Sequence, residues 1–152
     1  MAHIQWTRDL DTGIQVIDNQ HRRIVEYINR LDDVRVTHEK EKIREVLNEL
    51  IDYTLSHFTF EESLMEEAGY PFIKAHKRVH QLFVKRIDNY VQRFSIGEDI
   101  TEELLNTLKA WLINHIKNDD NDYSEIVRNK LYAIDSSQKG GWIARSIKKI
   151  FQ

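Results

Sequence analysis

The sequence predicts an all-α fold: an up-down-up-down antiparallel four-helix bundle with an N-terminal arm and a short C-terminal amphipathic helix. Three observations predict it. One proline and five glycines are all that interrupt 152 residues, which favours long helices. Apolar residues recur at three- and four-residue spacing over four separate stretches. The breaks between those stretches are short, so consecutive helices become antiparallel neighbours.

The first helix is predicted over roughly Asp18 to Val36, with Ile17, Ile24, Ile28 and Leu31 on one face. The second spans roughly Glu39 to Ala68, with Ile43, Leu47, Leu50, Thr54 and Leu64 as its stripe. Gly69 ends it and Pro71 opens the third, which runs to Phe94 with Phe72, Phe83, Ile87 and Tyr90 on one face. Gly97 lies in the next turn. Thr101 is expected to cap the fourth helix, with Glu102 and Glu103 at its positive dipole end and Leu105, Leu108 and Leu112 inward. The first dozen residues read as an arm that Trp6 packs onto the bundle. Residues 1–135 thus form one unit, and 136–152 form a linker and tail. In that tail Trp142, Ile143, Ile147, Ile150 and Phe151 share a face, with Arg145, Lys148 and Lys149 opposite or flanking. Such a basic amphipathic segment can rest on a membrane surface, dock on a protein partner or pack back on its own bundle.

Composition narrows the chemistry. With no cysteine, disulfides, iron–sulfur clusters, zinc–thiolate sites and thiol catalysis are all excluded. The net charge of -3 offers no basic excess to neutralise phosphates, which argues against nucleic acid. No apolar run approaches the ~20 residues that span a bilayer, and the N-terminus has no apolar signal region, so a cytoplasmic address is expected. No nucleophile triad or glycine-rich phosphate loop is present.

The gaps in the apolar stripes carry the informative residues. His21 falls between Ile17 and Ile24. His57 and Glu61 fall between Thr54 and Leu64. His76 and His80 precede Phe83. His115 follows Leu112, and an acidic cluster at Asp119, Asp120 and Asp122 comes after it. Five of seven histidines therefore face inward, leaving His3 in the arm and His38 in the first loop. At ~1.5 Å per residue these donors all lie roughly 24–36 Å from the end of the bundle that holds Thr37 and Gly97. Helical periodicity does not require such agreement. Each buried polar group without a partner costs on the order of 2–7 kcal/mol, and a lone carboxylate more. Seven in one layer would exceed the roughly 5–15 kcal/mol by which a domain is stable. A metal satisfies them directly. Imidazole and carboxylate suit iron, and also zinc, copper, nickel and manganese. Seven ligands are too many for one ordinary site, so two metals bridged by carboxylates is the economical reading.

Four segments taken together resemble the bacterial members of the hemerythrin family over roughly residues 6–125. They are Ile17-Asp18-x-Gln20-His21; His57-Phe58-x-x-Glu61-Glu62; His76-x-x-x-His80; and Trp111-Leu112-x-x-His115-Ile116-x-x-x-Asp120-x-x-Tyr123. The resemblance implies a non-haem centre of two iron ions, cycling between Fe2+ and Fe3+ and sharing a bridging oxo or hydroxo group. His76, His80 and His115 would bind one iron and His21 and His57 the other, with Glu61 and Asp120 bridging. Counting ligands on two octahedral ions leaves one open position, on the iron with two histidines, where dioxygen would bind reversibly. Trp111, Leu112 and Ile116 would form an apolar pocket around it, and Gln20 could hydrogen-bond a ligand imidazole. The function implied is a monomeric dioxygen carrier, store or sensor, and not an enzyme. The alternatives are a di-iron enzyme handling dioxygen, peroxide or nitric oxide, or an iron-storage protein. Ferritin-like centres use Glu-x-x-His pairs, and no histidine here has a glutamate three residues before it.

One conflict stands in the fourth helix. A straight helix carries Asp119, four after His115, to the ligand face and turns Asp120 away. The family motif uses the fifth residue, Asp120, which requires a one-residue bulge.

Overall fold

The computed structural model describes residues 3–136. The tail predicted over 136–152 lies, beyond Ser136, outside the described residues. A single 3-10 turn at Arg8–Leu10 precedes α1 (Gln15–Arg35), α2 (Lys40–Ala68), α3 (Ile73–Ser95) and α4 (Thr101–Asn114). A π-helical turn at His115–Asp120 carries α4 directly into α5 (Asn121–Ser136). Among the described residues there is no strand, and no helix is long and apolar enough to cross a membrane.

Side-chain pairs fix the directions. Between α1 and α2, Arg30 meets Glu49 and Gln20 meets His57. Between α2 and α3, Phe58 meets Phe83 and His76 meets Glu61. Between α3 and α4, Tyr90 meets Thr107 and Phe83 meets Trp111. In every pair one number falls as the other rises, so neighbouring helices are antiparallel. The up-down-up-down bundle follows.

Each stripe is buried where its period places it. Ile24, Ile28 and Leu31 of α1 share one core cluster with Leu47, Leu50, Leu105 and Leu108, and Ile17 packs in a second with Phe60, Leu64 and Tyr123. Two features differ from the expectation. Phe72 is 66% exposed, because α3 begins only at Ile73 and Phe72 sits in the preceding turn, where helical period does not apply. Thr101 does not cap α4. Ile100, fully buried, takes the cap position without a side-chain bond, and the Thr101 hydroxyl instead bonds the Asp99 carboxylate at 2.9 Å.

Gly69 ends α2 in the left-handed region (φ 72°), and the Tyr70 amide bonds the Met65 carbonyl behind it. This reverses the chain so that α3 returns along α2. At the same end of the bundle, buried Asp18 accepts the Thr12 amide and hydroxyl, both at 2.8 Å. That pins the loop before α1 and sets the register of His21 one turn on. The arm packs as predicted. Trp6 lies partly buried against the core, with Arg22 5.1 Å over its ring and its indole N–H donating to Asp11. His3 bonds Asp33, and His38 occupies the first loop at φ 55°.

Candidate metal centre

His21, His57, Glu61, His76, His80, His115 and Asp120 converge on one buried layer, each no more than 5% exposed. Three helices and the π turn contribute. α1 supplies His21, α2 supplies His57 and Glu61 one turn apart, α3 supplies His76 and His80 one turn apart, and the π turn supplies His115 and Asp120. In an α-helix of 3.6 residues per turn, the fifth residue after His115 is rotated well off its face. With i→i+5 hydrogen bonds the turn closes after about five residues, and Asp120 returns to the ligand side. The side chain of Asp119 lies outside what the structure describes, and Asp122 is exposed.

The two carboxylates divide their oxygens. Glu61 Oε1 lies 2.8 Å from His76 Nε2, 3.0 Å from His80 Nε2 and 3.7 Å from His115 Nε2. Its Oε2 lies 3.2 Å from His57 Nε2 and 3.7 Å from His21 Nε2. Asp120 repeats the pattern, with Oδ1 at 3.0 Å from His115 Nε2 and 3.2 Å from His76 Nε2, and Oδ2 at 2.9 Å from His21 Nε2. The donors therefore fall into two overlapping groups. One is Glu61, His76, His80, His115 and Asp120. The other is His21, His57, Glu61 and Asp120.

Hydrogen bonding alone does not account for this layer. His57 Nδ1 lies 2.6 Å from Gln20 Oε1. An amide oxygen only accepts, so the proton sits on Nδ1. A neutral His57 then aims the Nε2 lone pair at the Glu61 carboxylate, acceptor against acceptor. His57 Nε2, both nitrogens of His21 and both oxygens of Asp120 are buried without an aligned hydrogen-bond partner, despite the short distances. Orphaned atoms crowded at such range point to a common centre between them, which a cation would fill. The donor set fits a pair of metal ions with nitrogen and oxygen ligands.

The electrostatics agree. Burial pulls the His57 imidazole below its ordinary pKa, against the attraction of Glu61. Burial also opposes charge on His21 and His76. Bonds to Asp120 and Glu61 outweigh it and raise both to about 9. Burial pushes the carboxyls up, and in Asp120 the Glu61 charge adds to this. The surrounding imidazoles (His57, His115 and His21 for Glu61; His115 and His21 for Asp120) still hold both below their usual range. Without a cation, protons on imidazoles such as those of His21 and His76 offset the carboxylate charges. A metal would displace those protons.

Aromatic rings brace the imidazoles. Phe58 stacks on His80 at 3.9 Å, and Trp111 stacks on His115 at 4.4 Å with Phe83 behind it at 3.7 Å. Beside His57 and His115 lies a narrow apolar cavity of about 10 Å³, at the lower limit for a single water-sized molecule. Trp111 and Leu112 line it, together with Phe58, Ile24 and Ile28. Ile116 is buried in the same core but does not border this cavity. The Tyr123 hydroxyl donates to Glu61 Oε2 at 3.0 Å. Burial and the Glu61 and Asp120 charges push that hydroxyl well above its ordinary pKa, so it stays a donor. This bond was not foreseen, since a tyrosine eight residues after His115 carries no periodic signal toward Glu61.

A profile of the hemerythrin HHE cation-binding domain matches residues 12–127. The chain is 53% identical over 152 residues to a bacteriohemerythrin of Pseudomonas aeruginosa (strain LESB58), covering 99% of each. It is 49% identical to that of Stenotrophomonas maltophilia (strain R551-3), again over 99% of each. A solved wild-type hemerythrin superposes with a TM-score of 0.79 at 30% identity, covering 83% of this chain and 98% of that one. With the two-group donor set already assembled by the fold, these likenesses make the chain a member of the hemerythrin family.

Proposed function

We propose that this chain binds dioxygen reversibly at a non-haem centre of two iron ions. His76, His80 and His115 hold one ion and His21 and His57 the other, with Glu61 and Asp120 bridging. The observation that carries the reading is the division of both carboxylates, one oxygen toward each histidine group. When bound, a pair of iron ions supplies reversible two-electron exchange with dioxygen.

The chain's own residues supply the rest. The group with two histidines has fewer protein donors than its partner, which leaves room for an exogenous ligand beside His57. The apolar cavity bordered by Trp111, Leu112 and Phe58 adjoins that side. It keeps water and protons from a bound ligand, which favours release over irreversible oxidation. Gln20 fixes the tautomer and ring plane of His57, and Tyr123 steadies Glu61, as outer partners do at metal sites. The donor set is rich in histidine and poor in carboxylate, which favours reversible binding over oxidation chemistry, so the role is a carrier, store or sensor. The same reading takes the protein as a cytoplasmic monomer, which gel filtration and cell fractionation check.

Purified iron-loaded protein, reduced without oxygen and then exposed to air, is expected to gain a visible absorption band that fades on deoxygenation over repeated cycles. Iron analysis should give two ions per chain. Permanent loss of colour with accumulation of a product would replace the carrier by an enzyme, and a folded protein that takes up no iron would end the reading.

A further inference from the structure

A second, larger cavity lies outside the layer of ligands. It has a volume of about 270 Å³ and sits between α2, α3 and α4, toward the Gly97 end of the bundle. Its walls include Leu47, Leu50, Ile87 and Leu104, all buried. Its rim is formed by half-buried Ile51 and Val84 and by exposed Asn48, Leu55 and Asp88, so it opens to solvent in the groove between α2 and α3.

Three residues, Thr54, Phe83 and Leu108, line both this cavity and the narrow one beside His57 and His115. They are buried, and they form the partition between the two spaces. Thr54 is the polar member. Its hydroxyl donates to the Leu50 carbonyl at 2.8 Å, which satisfies its donor within its own helix and leaves the partition without a free hydrogen for water. Enclosed apolar cavities take up small apolar molecules such as xenon, and the inner wall of this one, Leu47, Leu50, Ile87 and Leu104, offers water no hydrogen-bonding side chain.

We infer that the outer cavity is a binding site for small apolar gases and the access route by which dioxygen reaches the centre, with Thr54, Phe83 and Leu108 as its gate. The second half of this statement rests on the dioxygen-binding reading above, and the first half does not. A bulk apolar space gathers dioxygen out of water, and the partition passes it when the side chains shift, while water finds no hydrogen-bonding path inward. Phe83 is well suited to the gate because its ring stacks on Trp111, which stacks on His115. Its motion is thereby tied to the rings that frame the inner pocket.

The test has two arms on the iron-loaded protein. Crystals held under xenon pressure are expected to show xenon between Leu47, Val84 and Leu104. In solution, dioxygen association and dissociation are timed by stopped flow and flash photolysis for Val84→Trp and Ile51→Trp, which fill the cavity from its α3 and α2 rims. Both positions are half-buried, so either variant can serve if the other fails to fold. Blocking a route raises the barrier and leaves the end states alone. Association and dissociation should therefore slow together, on the order of tenfold, with the equilibrium constant unchanged. No xenon in the cavity would overturn the gas site. Unaltered rates, or a change in affinity without common slowing, would overturn the access role. Loss of dioxygen binding by the unaltered protein would instead refute the functional reading, and xenon would still report on the cavity.

Discussion

At the scale of single residues, Asp120 and Gln20 give the sharpest expectations. Asp120 offers one oxygen to each histidine group, so Asp120→Ala is expected to lose iron from both positions, measured as iron per folded chain. Asp119→Ala should leave iron content unchanged, because an i→i+5 turn brings the fifth residue after His115 to the ligand face. Gln20→Leu keeps the volume but removes the acceptor that fixes the His57 proton on Nδ1. Iron affinity is expected to fall roughly 10–100-fold while circular dichroism stays that of a helical bundle. Retained affinity in that variant would show that packing alone orients His57. The seven donors were legible as a set in the sequence, because each interrupts an apolar stripe at an inward position. Their partners were less so. The pairing of His57 with Gln20 and of Glu61 with Tyr123 joins residues 37 and 62 apart in the chain, and no local pattern encodes such a contact.

At the scale of elements, the turn after α2 and the turn after α4 do opposite work. Gly69 adopts φ 72°, and a Cβ built on it would meet nothing within 4 Å. Gly69→Ala therefore meets no clash and suffers only the backbone cost of a left-handed L-residue, roughly 1–2 kcal/mol, readable as a lower midpoint in urea with unchanged slope. The π turn at His115–Asp120 departs from regular helix where the ligands need it. From the sequence, helical period and family spacing disagreed by one residue there. Period describes a helix satisfied by its own hydrogen bonds, whereas the ligand layer demands two donors, His115 and Asp120, on one face. The start of the fourth helix misled for a related reason. Thr101 has the chemistry of a cap, but burying Ile100 decides where α4 begins.

At the scale of the whole molecule, the charged layer makes stability depend on pH in a way that metal should reverse. In metal-free protein His21 and His76 are raised from 6.5 to about 9. Their contribution is full below pH 6.5 and is lost as pH rises through about 9. Glu61 and Asp120 are lowered, so theirs is present above about pH 4 and is lost on acidification. His57, lowered by burial, opposes the other imidazoles and costs stability below pH 6.5. The thermal midpoint of the metal-free protein is therefore expected to fall between pH 6.5 and 9. Over the same range iron binding should tighten, because bound metal displaces the protons that His21 and His76 hold. Melting curves with and without metal at both pH values would check the two opposite slopes.

The sequence by itself determined the all-α bundle, the antiparallel order of its helices and the inward set of histidines and carboxylates. Those properties follow from periodicity, breaks and the cost of burying polar groups, all of which act along one helix at a time. Tertiary structure alone decided how Glu61 and Asp120 divide their oxygens, which side chains fix the imidazoles, and that two apolar cavities meet at Thr54, Phe83 and Leu108. These depend on the relative height and rotation of packed helices, to within about an ångström, and helical period carries no information about them.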